Sequence, residues 1–174
     1  MALSSNSPII QVLSTDTLTF KGCYYRCAVG RGGMSIDKLE GDGCTPTGRF
    51  PLRKVLYRPD RMKKPETELI VHALKPTDAW CDDPSDKTYN QLVSLPFPAS
   101  HEKLWRNSRI YNLIVVMGHN DNPAVPKKGS AIFMHIAKPN YAPTEGCIAL
   151  QRKDLLDIVQ KCRATTDIII AAPN

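Results

Sequence analysis

Proline and glycine interrupt this chain so often that long helices are excluded over most of its length. Its 174 residues include 14 prolines and 10 glycines, and both residue types form turns or end regular elements. The short runs between them are rich in β-branched and aromatic residues, which is typical of strands. The run at 111–118, "YNLIVVMG", is apolar enough to be buried on both faces. We expect strands at residues 9–13, 17–30, 68–74, 111–118, 130–137 and 167–172.

One segment near the end of the chain has the period of a helix instead. The apolar positions of "KDLLDIVQKC" fall on one helical face, and they are Leu155, Leu156, Val159 and Cys162. Asp157 and Lys161 have the spacing of a stabilising ion pair. The sequence therefore predicts a mostly β (β-rich α+β) fold with one clear helix, and its length fits a single domain over residues 1–174.

The strand pattern fails between residues 75 and 109, where aromatic residues gather around a Leu-Pro-Phe-Pro run. An irregular stretch of this length inside a compact domain is usually functional or disordered. Trp80, Tyr89 and Trp105 favour order, because aromatic side chains bury large surfaces. We therefore expect an irregular insertion that walls or caps a site, with both tryptophans used in packing.

Composition excludes several functional classes. The net charge of +6 comes from scattered lysines and arginines, without the basic stripe and interleaved aromatic residues of a nucleic-acid platform. No apolar run reaches the roughly 18 to 20 residues that cross a bilayer, so neither nucleic acid nor a membrane is an expected partner. The start of the chain lacks the basic region, apolar run and cleavage site of a secretory leader. We expect a cytoplasmic protein, or a periplasmic one if a leader was removed.

The six cysteines are spread along the chain, unlike the dense pattern of a small disulfide-linked domain. Reduced thiols in a reducing compartment are the simpler interpretation. Cys23 and Cys27 form a C-x3-C pair, but no second pair or nearby histidine completes a tetrahedral zinc site. Asp82, Asp83 and Asp86 also lack a His or Cys at ligand spacing, and we interpret them as a solvated loop. No metal or other cofactor is expected, and a Cys-rich metal-binding protein is the weakest alternative.

The stretch "HIAKPNYAPTEGCIAL" places His135 and Cys147 twelve residues apart. A cysteine attacks as its thiolate, and a free thiol with a pKa of about 8.5 needs a partner that removes its proton. If 130–137 is a strand and the following loop returns beside it, His135 can be that partner. Gly146 allows a sharp turn in which main-chain N–H groups can stabilise an oxyanion, and Thr144 can hold the turn by hydrogen bonding. The alternative is a core histidine and an inert buried cysteine.

Two segments resemble the YkuD, or L,D-transpeptidase, catalytic domain. "GSAIFMH...PTEGCIAL" is similar to the family signature of a His followed by [Ser/Thr]-x-Gly-Cys, and "GDGCTPTGRF" resembles the upstream Thr-Pro-x-Gly-x-Phe segment. Both occur in the family's order, so the resemblance covers nearly the whole chain. It implies a YkuD-like β-sandwich, with Cys147 as nucleophile, His135 as base, Thr144 as the motif hydroxyl and Gly146 as the oxyanion-side glycine.

The resemblance also implies a substrate and a reaction. Such a cysteine attacks the carbonyl between the L-centre of a diamino acid and the following D-alanine of a murein stem peptide, and carbapenem-type β-lactams are expected to acylate it. Resolution of the acyl-enzyme by water gives an L,D-carboxypeptidase, and resolution by an amine gives an L,D-transpeptidase. We expect the carboxypeptidase of murein recycling first, because members without a leader resemble that branch. Transpeptidation and a non-catalytic murein-peptide-binding module are the alternatives.

The chain departs from the family in two places. Ala149 stands where many members have Arg or Asn, and Arg152 is a candidate substitute. The spacing between His135 and Cys147 is also shorter than in many secreted members, which indicates a trimmed loop.

Five further residues are candidates or exclusions from the sequence alone. Arg58 and Arg61 can clamp a substrate carboxylate in bidentate fashion. His119 follows a buried strand and precedes a polar turn, so it either lines the cleft or caps the turn. His72 is expected in the core and His101 on the surface.

Overall fold

The structure, a computed structural model, describes residues 7–172. Residues 1–6, part of the segment in which a leader was sought, lie outside the described residues. The strands are β1 (Ile9–Val12), β2 (Thr17–Phe20), β3 (Cys23–Ala28), β4 (Met34–Ser35), β5 (Thr45–Pro46), β6 (Gly48–Tyr57), β7 (Ile70–Ala73), β8 (Asp78–Cys81), β9 (Leu92–Ser94), β10 (His101–Lys103), β11 (Leu113–Met117), β12 (Phe133–Ile136), β13 (Ile148–Leu150) and β14 (Asp167–Ile170). A 3-10 turn (Pro139–Tyr141) and helix α1 (Arg152–Lys161) complete the fold. The predicted mostly β fold with one clear helix is confirmed.

Nine strands form one ladder that closes on itself. Their order is β11-β12-β13-β3-β2-β1-β14-β6-β7, and β6 also pairs with β11. β6 can reach both partners because it is ten residues long: residues 48–51 pair with β14, and residues 52–57 pair with β11. The two layers therefore share β3 and β6 at their edges, as in a sandwich that is closed on both sides.

Apolar side chains fill the space between the layers. Phe20, Met134 and Leu150, from β2, β12 and β13, are fully buried members of this core. β11 is buried at all five positions, as predicted from its continuous apolar run. Because full burial of one such side chain contributes about 1.5–3 kcal/mol, the strands that carry His135 and flank Cys147 are among the firmly anchored parts of the fold.

Helix α1 follows β13 and lies against β12. Its buried residues are Leu155, Ile158 and Val159, so Ile158 takes the core position that the sequence assigned to Leu156. The predicted ion pair between Asp157 and Lys161 is present at 2.7 Å. Within residues 7–172 no helix has the length and the apolar character needed to cross a membrane.

The prediction of one strand over residues 17–30 is wrong. The segment is a hairpin of β2 and β3, in which Thr17 pairs with Arg26 and Phe20 with Cys23. Lys21 and Gly22 form the turn with φ angles of 48° and 78°, the left-handed conformation that two-residue hairpin turns require. The other predicted strands are present but shorter than expected.

The insertion at 75–109 is not irregular, which corrects the prediction. It contains β8, β9 and β10, which form a separate three-stranded antiparallel sheet in the order β10-β8-β9. Trp80 in the central strand is buried and meets Phe133 of β12 edge-to-face, with ring centroids 5.1 Å apart. Strands of three or four residues are too short to display a period of two, so no strand pattern is visible in this part of the sequence.

Candidate active site

His135 and Cys147 reach one cleft because their strands are neighbours. β12 and β13 are parallel, with His135 opposite Ala149, and Cys147 directly precedes β13. Both residues line a cleft with a volume of about 430 Å³. The other lining residues are Lys38, Glu40, Gly41, Asp82, His101, Glu102, Arg106, Ile110, Tyr111, Ser130, Ala131, Lys138, Ala142, Thr144, Glu145 and Ala149.

The imidazole of His135 is held in one tautomer. Its Nδ1 lies 2.9 Å from the carbonyl oxygen of Ile136, and a carbonyl can only accept, so Nδ1 carries the proton and Nε2 keeps a free lone pair. The ring of Tyr111 packs edge-to-face against it at 5.3 Å between centroids. Burial lowers the pKa of His135 to about 4, because the charged form loses its hydration. His135 is therefore a neutral acceptor at neutral pH.

The thiol of Cys147 is also neutral in this structure. Its Sγ lies 3.2 Å from the carbonyl oxygen of Ala131, to which it donates, and it accepts from the Phe133 N–H at 3.4 Å. Burial raises the pKa of Cys147 to about 12, and the nearby negative charge of Glu102 adds to the effect. The pair thus rests as thiol and imidazole, not as thiolate and imidazolium.

The turn before Cys147 is held by Thr144 and requires Gly146. Thr144 Oγ1 accepts a hydrogen bond from the Gly146 N–H at 3.1 Å and donates to the Cys147 carbonyl at 2.6 Å. Gly146 has a φ of 131°, which non-glycine residues rarely adopt. A Cβ at this position would lie only 2.8 Å from the Cys44 carbonyl oxygen. Only glycine therefore fits at position 146, between the nucleophile and the upstream motif.

The upstream motif "GDGCTPTGRF" holds the other side of this turn. Thr45 Oγ1 accepts from the Gly30 N–H at 2.9 Å and donates to the Gly146 carbonyl at 2.8 Å. Thr45 is completely buried. A Cβ on Gly30 would come within 2.1 Å of the Gly43 carbonyl oxygen, so main chain packs directly on main chain. The two motifs quoted from the sequence are thus parts of one structure.

The arginines that were predicted to bind substrate do not line this cleft. They are Arg58, Arg61 and Arg152. Arg58 is buried, binds Asp60 through Nε and Nη2 at 2.8 Å each, and stacks on Trp105 at 3.7 Å. Arg61 donates to the Ser108 carbonyl at 3.1 Å. Arg152 lines a second, adjoining cleft of about 790 Å³. The loop pattern around these arginines does not indicate which groups they bind, because tertiary packing determines their partners.

His72 and His101 are placed differently from the sequence predictions, and His119 takes the second of its two predicted roles, that of capping the turn. His119 Nε2 lies 3.0 Å from the Lys128 carbonyl, so it holds the turn at 119–129 and does not line the cleft. His72 is not a core residue: it is half-buried and 2.9 Å from Asp78 Oδ2. His101 was expected on the surface but lines the cleft.

The sequence analysis missed most of the cleft wall. Asp82, interpreted as part of a solvated loop, lines the cleft together with Glu102 and Arg106 from the same insertion. Tyr111 donates to Glu102 Oε1 at 2.8 Å, and Arg106 Nη2 donates to the same oxygen at 2.6 Å. Asp83 does fit the predicted polar loop, because it hydrogen-bonds with Ser85 in a local turn. Only aromatic enrichment at 75–109 hinted at this wall.

The cysteines and acidic residues of the described chain do not form a metal site. No group of three or more His, Cys, Asp or Glu residues within 7–172 could hold a metal ion. The six cysteines, all within this range, are free thiols.

A family model for the YkuD L,D-transpeptidase catalytic domain matches residues 13–170. The matched span is nearly the whole chain and includes His135, Cys147 and the segment around Thr45. No match was found among curated proteins or among solved structures. The chain therefore belongs to the YkuD family of L,D-transpeptidase catalytic domains, which act on peptidoglycan peptides.

Proposed function

We propose that this protein hydrolyses the bond before the terminal D-alanine of murein tetrapeptides, with Cys147 as nucleophile and His135 as base. One observation carries the proposal: the thiol of Cys147 and a histidine with a free Nε2 lone pair line the same cleft from neighbouring parallel strands. Acyl transfer through a thioester needs a nucleophile and a proton acceptor in this relation.

In the proposed reaction, Nε2 of His135 takes the thiol proton while Sγ attacks the carbonyl carbon of the diamino residue. The Gly146 N–H is already bound to Thr144, so we assign the N–H of Cys147, the next residue, as the main-chain donor to the oxyanion. Collapse breaks the C–N bond, and His135 returns its proton to the departing D-alanine amine. His135 then takes a proton from water, the resulting hydroxide attacks the thioester, the C–S bond breaks, and the thiolate is reprotonated.

The neutral resting pair constrains the order of these events. Moving the proton from a thiol with a pKa of about 12 to an imidazole with a pKa of about 4 costs on the order of 10 kcal/mol before the attraction of the resulting ions is counted. A free thiolate would therefore be rare. We infer that proton transfer accompanies attack, so that the negative charge passes directly to the carbonyl oxygen.

The walls of the cleft support hydrolysis as the first candidate. The insertion closes one side through Asp82, His101, Glu102 and Arg106, and a restricted cleft admits water more readily than a second peptide. L,D-transpeptidation is the second candidate, because the adjoining cleft of about 790 Å³ shares Arg106, Ile110 and Lys138 with the first. An acceptor stem could occupy that space.

We also propose a cytoplasmic location and a role in murein recycling. The supporting observation is the six free thiols, four of them buried, which persist in a reducing compartment. A reducing cytoplasm would keep Cys147 in the thiol form that the reaction needs.

Mass spectrometry of a soluble murein tetrapeptide tests the function. The peptide is incubated with the protein, with and without an excess of a D-amino acid. Loss of D-alanine in both samples is the expected result. Replacement of D-alanine by the added amino acid would favour the transpeptidase, and an unchanged peptide in both samples would contradict the enzymatic proposal.

A carbapenem separates an enzyme from a binding module. We expect the intact protein to gain the mass of the inhibitor and a peptide map to place it on Cys147. Tight tetrapeptide binding without this adduct and without turnover would indicate a non-catalytic murein-peptide-binding module instead.

A further inference from the structure

Two buried oxygen atoms in the cleft have no hydrogen-bond partner. They are Asp82 Oδ1 and Ser130 Oγ, and they are the only such side-chain atoms among residues 7–172. The Ser130 hydroxyl lies near the Tyr89 hydroxyl and interacts with it, but without the geometry of a hydrogen bond. Both residues line the cleft of Cys147, and Ser130 is only 7% exposed. Buried polar atoms in folded proteins are nearly always paired. Two orphan oxygens at one cleft therefore indicate a ligand that brings hydrogen-bond donors.

The charge around these atoms is negative. Glu40 and Glu102 line the same cleft, and the pKa of Glu102 is raised first by burial, with further contributions from the charges of Asp82 and Glu40. Three cations line the cleft. Lys38 binds Asp42 at 2.5 Å and Arg106 binds Glu102 at 2.6 Å, whereas Lys138 is exposed and acts on the His135 side of the cleft. A positively charged ligand group would relieve this repulsion.

The hydrogen bonds already present in this wall leave acceptor atoms free for a positively charged ligand group. Tyr89 donates its hydroxyl proton to Glu40 Oε2, and Tyr111 donates to Glu102 Oε1. Asp82 can only accept, and the Ser130 hydroxyl can accept through its lone pairs. The wall therefore offers acceptors and negative charge.

We propose that Asp82 and Ser130, in the negative field of Glu40 and Glu102, form a subsite for a primary ammonium group. An alkylammonium matches it because it carries one positive charge and three N–H donors. A bare metal ion does not match, since no three such ligands converge anywhere in residues 7–172. The inference rests on the proposed function, and it assigns the residues that bind an amine beside the reacting carbonyl.

Two sources can supply this ammonium group. One is the side-chain amine of the diamino residue in the peptide that acylates Cys147. The other is the amine of an acceptor, which binds as the ammonium and must give one proton to His135 before its nitrogen attacks the thioester. Both sources present the same ammonium group, and different measurements distinguish them.

Binding to the Cys147→Ala protein tests the subsite without turnover. The probes are a murein tetrapeptide with a free side-chain amine and the same peptide with that amine acetylated. If the ammonium comes from the donor peptide, acetylation should weaken binding by roughly 10- to 100-fold, the range for hydrogen bonds to charged groups. In the Cys147→Ala/Asp82→Asn protein the free peptide should bind about as weakly as the acetylated one, because Asn keeps the shape and removes the charge.

Asp83→Asn is the matched control, since Asp83 is the next residue, does not line the cleft, and bonds to Ser85. It should bind both peptides like the parent. Ser130→Ala supplies an independent variant and should weaken the free peptide several-fold more than the acetylated one. Thermal unfolding of each variant verifies that it is folded.

If the ammonium group belongs to the acceptor, a different result is expected, and it is measured in protein with an intact Cys147. There Asp82→Asn should lower exchange with an added D-amino acid at least about tenfold relative to the Asp83→Asn control, and acetylation of the peptide amine should not affect binding to the Cys147→Ala protein. Equal behaviour of Asp82→Asn, Ser130→Ala and parent in both assays would overturn the ammonium subsite. A protein with no turnover on either peptide would contradict the proposed function, yet the binding measurements would still decide the subsite.

Discussion

The catalytic segment, residues 131–150, and the insertion, residues 75–109, face the same cleft but are held by different interactions. The catalytic segment is fixed by strand register and by contacts to its main chain, such as the hydrogen bond that Thr45 Oγ1 donates to the Gly146 carbonyl. The insertion is fixed largely by side chains. Trp80 Nε1 donates to Asn90 Oδ1 at 2.9 Å, and Glu102 Oε1 accepts a hydrogen bond from the Tyr111 hydroxyl.

This difference suggests a division between chemistry and recognition. Main-chain contacts fix atoms with little freedom, as the nucleophile and the base require, whereas side-chain contacts can change without moving the sheet. The two regions meet at Asn90, which accepts from the Ala131 N–H at 3.0 Å. The Ala131 carbonyl in turn accepts the thiol of Cys147. We therefore expect changes in the catalytic segment to abolish or strongly reduce turnover, and changes at the wall to alter substrate affinity.

The largest effect is expected from Cys147→Ala. Turnover should disappear, because no other group on the cleft can form the thioester, while stability falls by only about 1 kcal/mol for the loss of one small buried group. Release of D-alanine and thermal unfolding measure the two effects. Cys162→Ala, at a buried cysteine in the core, is the control and should keep its activity. Retained turnover in Cys147→Ala would refute the mechanism.

The next effect concerns pH and His135. Its pKa is about 4 in the folded protein against about 6.5 unfolded, so protonation favours the unfolded chain. Stability from this group is complete above pH 6.5 and is lost as the pH falls towards 4, by about 3 kcal/mol. Denaturant unfolding of the parent and of His135→Gln at several pH values measures it as a difference between the two proteins.

The same group predicts the acid limb of activity. Because His135 must be neutral to accept the thiol proton, kcat/KM should stay level below pH 6 and decline only near pH 4. An apparent pKa close to 6.5 in the acid limb would show that His135 is hydrated during catalysis, and would weaken the assignment of the dry, rigid catalytic segment.

Thr45→Val tests the main-chain clamp directly. Valine keeps the volume but leaves the Gly30 N–H and the Gly146 carbonyl without their partner, at a cost of about 2 kcal/mol in the free energy of unfolding. Turnover should fall at least about tenfold, because the turn that carries Cys147 loses its anchor. Thr47→Val is the control, as Thr47 is in the same segment and donates only its main-chain N–H, to Ser35. If both variants behave alike, the clamp is not important.

The same division explains what could be predicted from the sequence. Alternating and continuous apolar runs revealed β11 and β12, and glycine-containing motifs revealed the turn at Gly146, since backbone constraints leave local signals. The wall left none: Asp82 and Glu102 lie in or beside strands of three or four residues. Arg58 was taken for a substrate clamp because nothing local shows that Asp60 and Trp105 occupy its guanidinium group.

Tyr111→Phe gives the smallest and most discriminating effect. The variant loses the hydroxyl that donates to Glu102, so stability should fall by about 1 kcal/mol, while the ring remains against His135. If the insertion governs recognition, KM should rise a few-fold and kcat should change less than about twofold, as steady-state kinetics with the tetrapeptide can measure. A tenfold fall in kcat with unchanged KM would instead mean that Glu102 acts on the reacting groups through Tyr111. The insertion would then belong to the chemistry, and the division between the two regions would fail at the Tyr111–Glu102 hydrogen bond beside the imidazole.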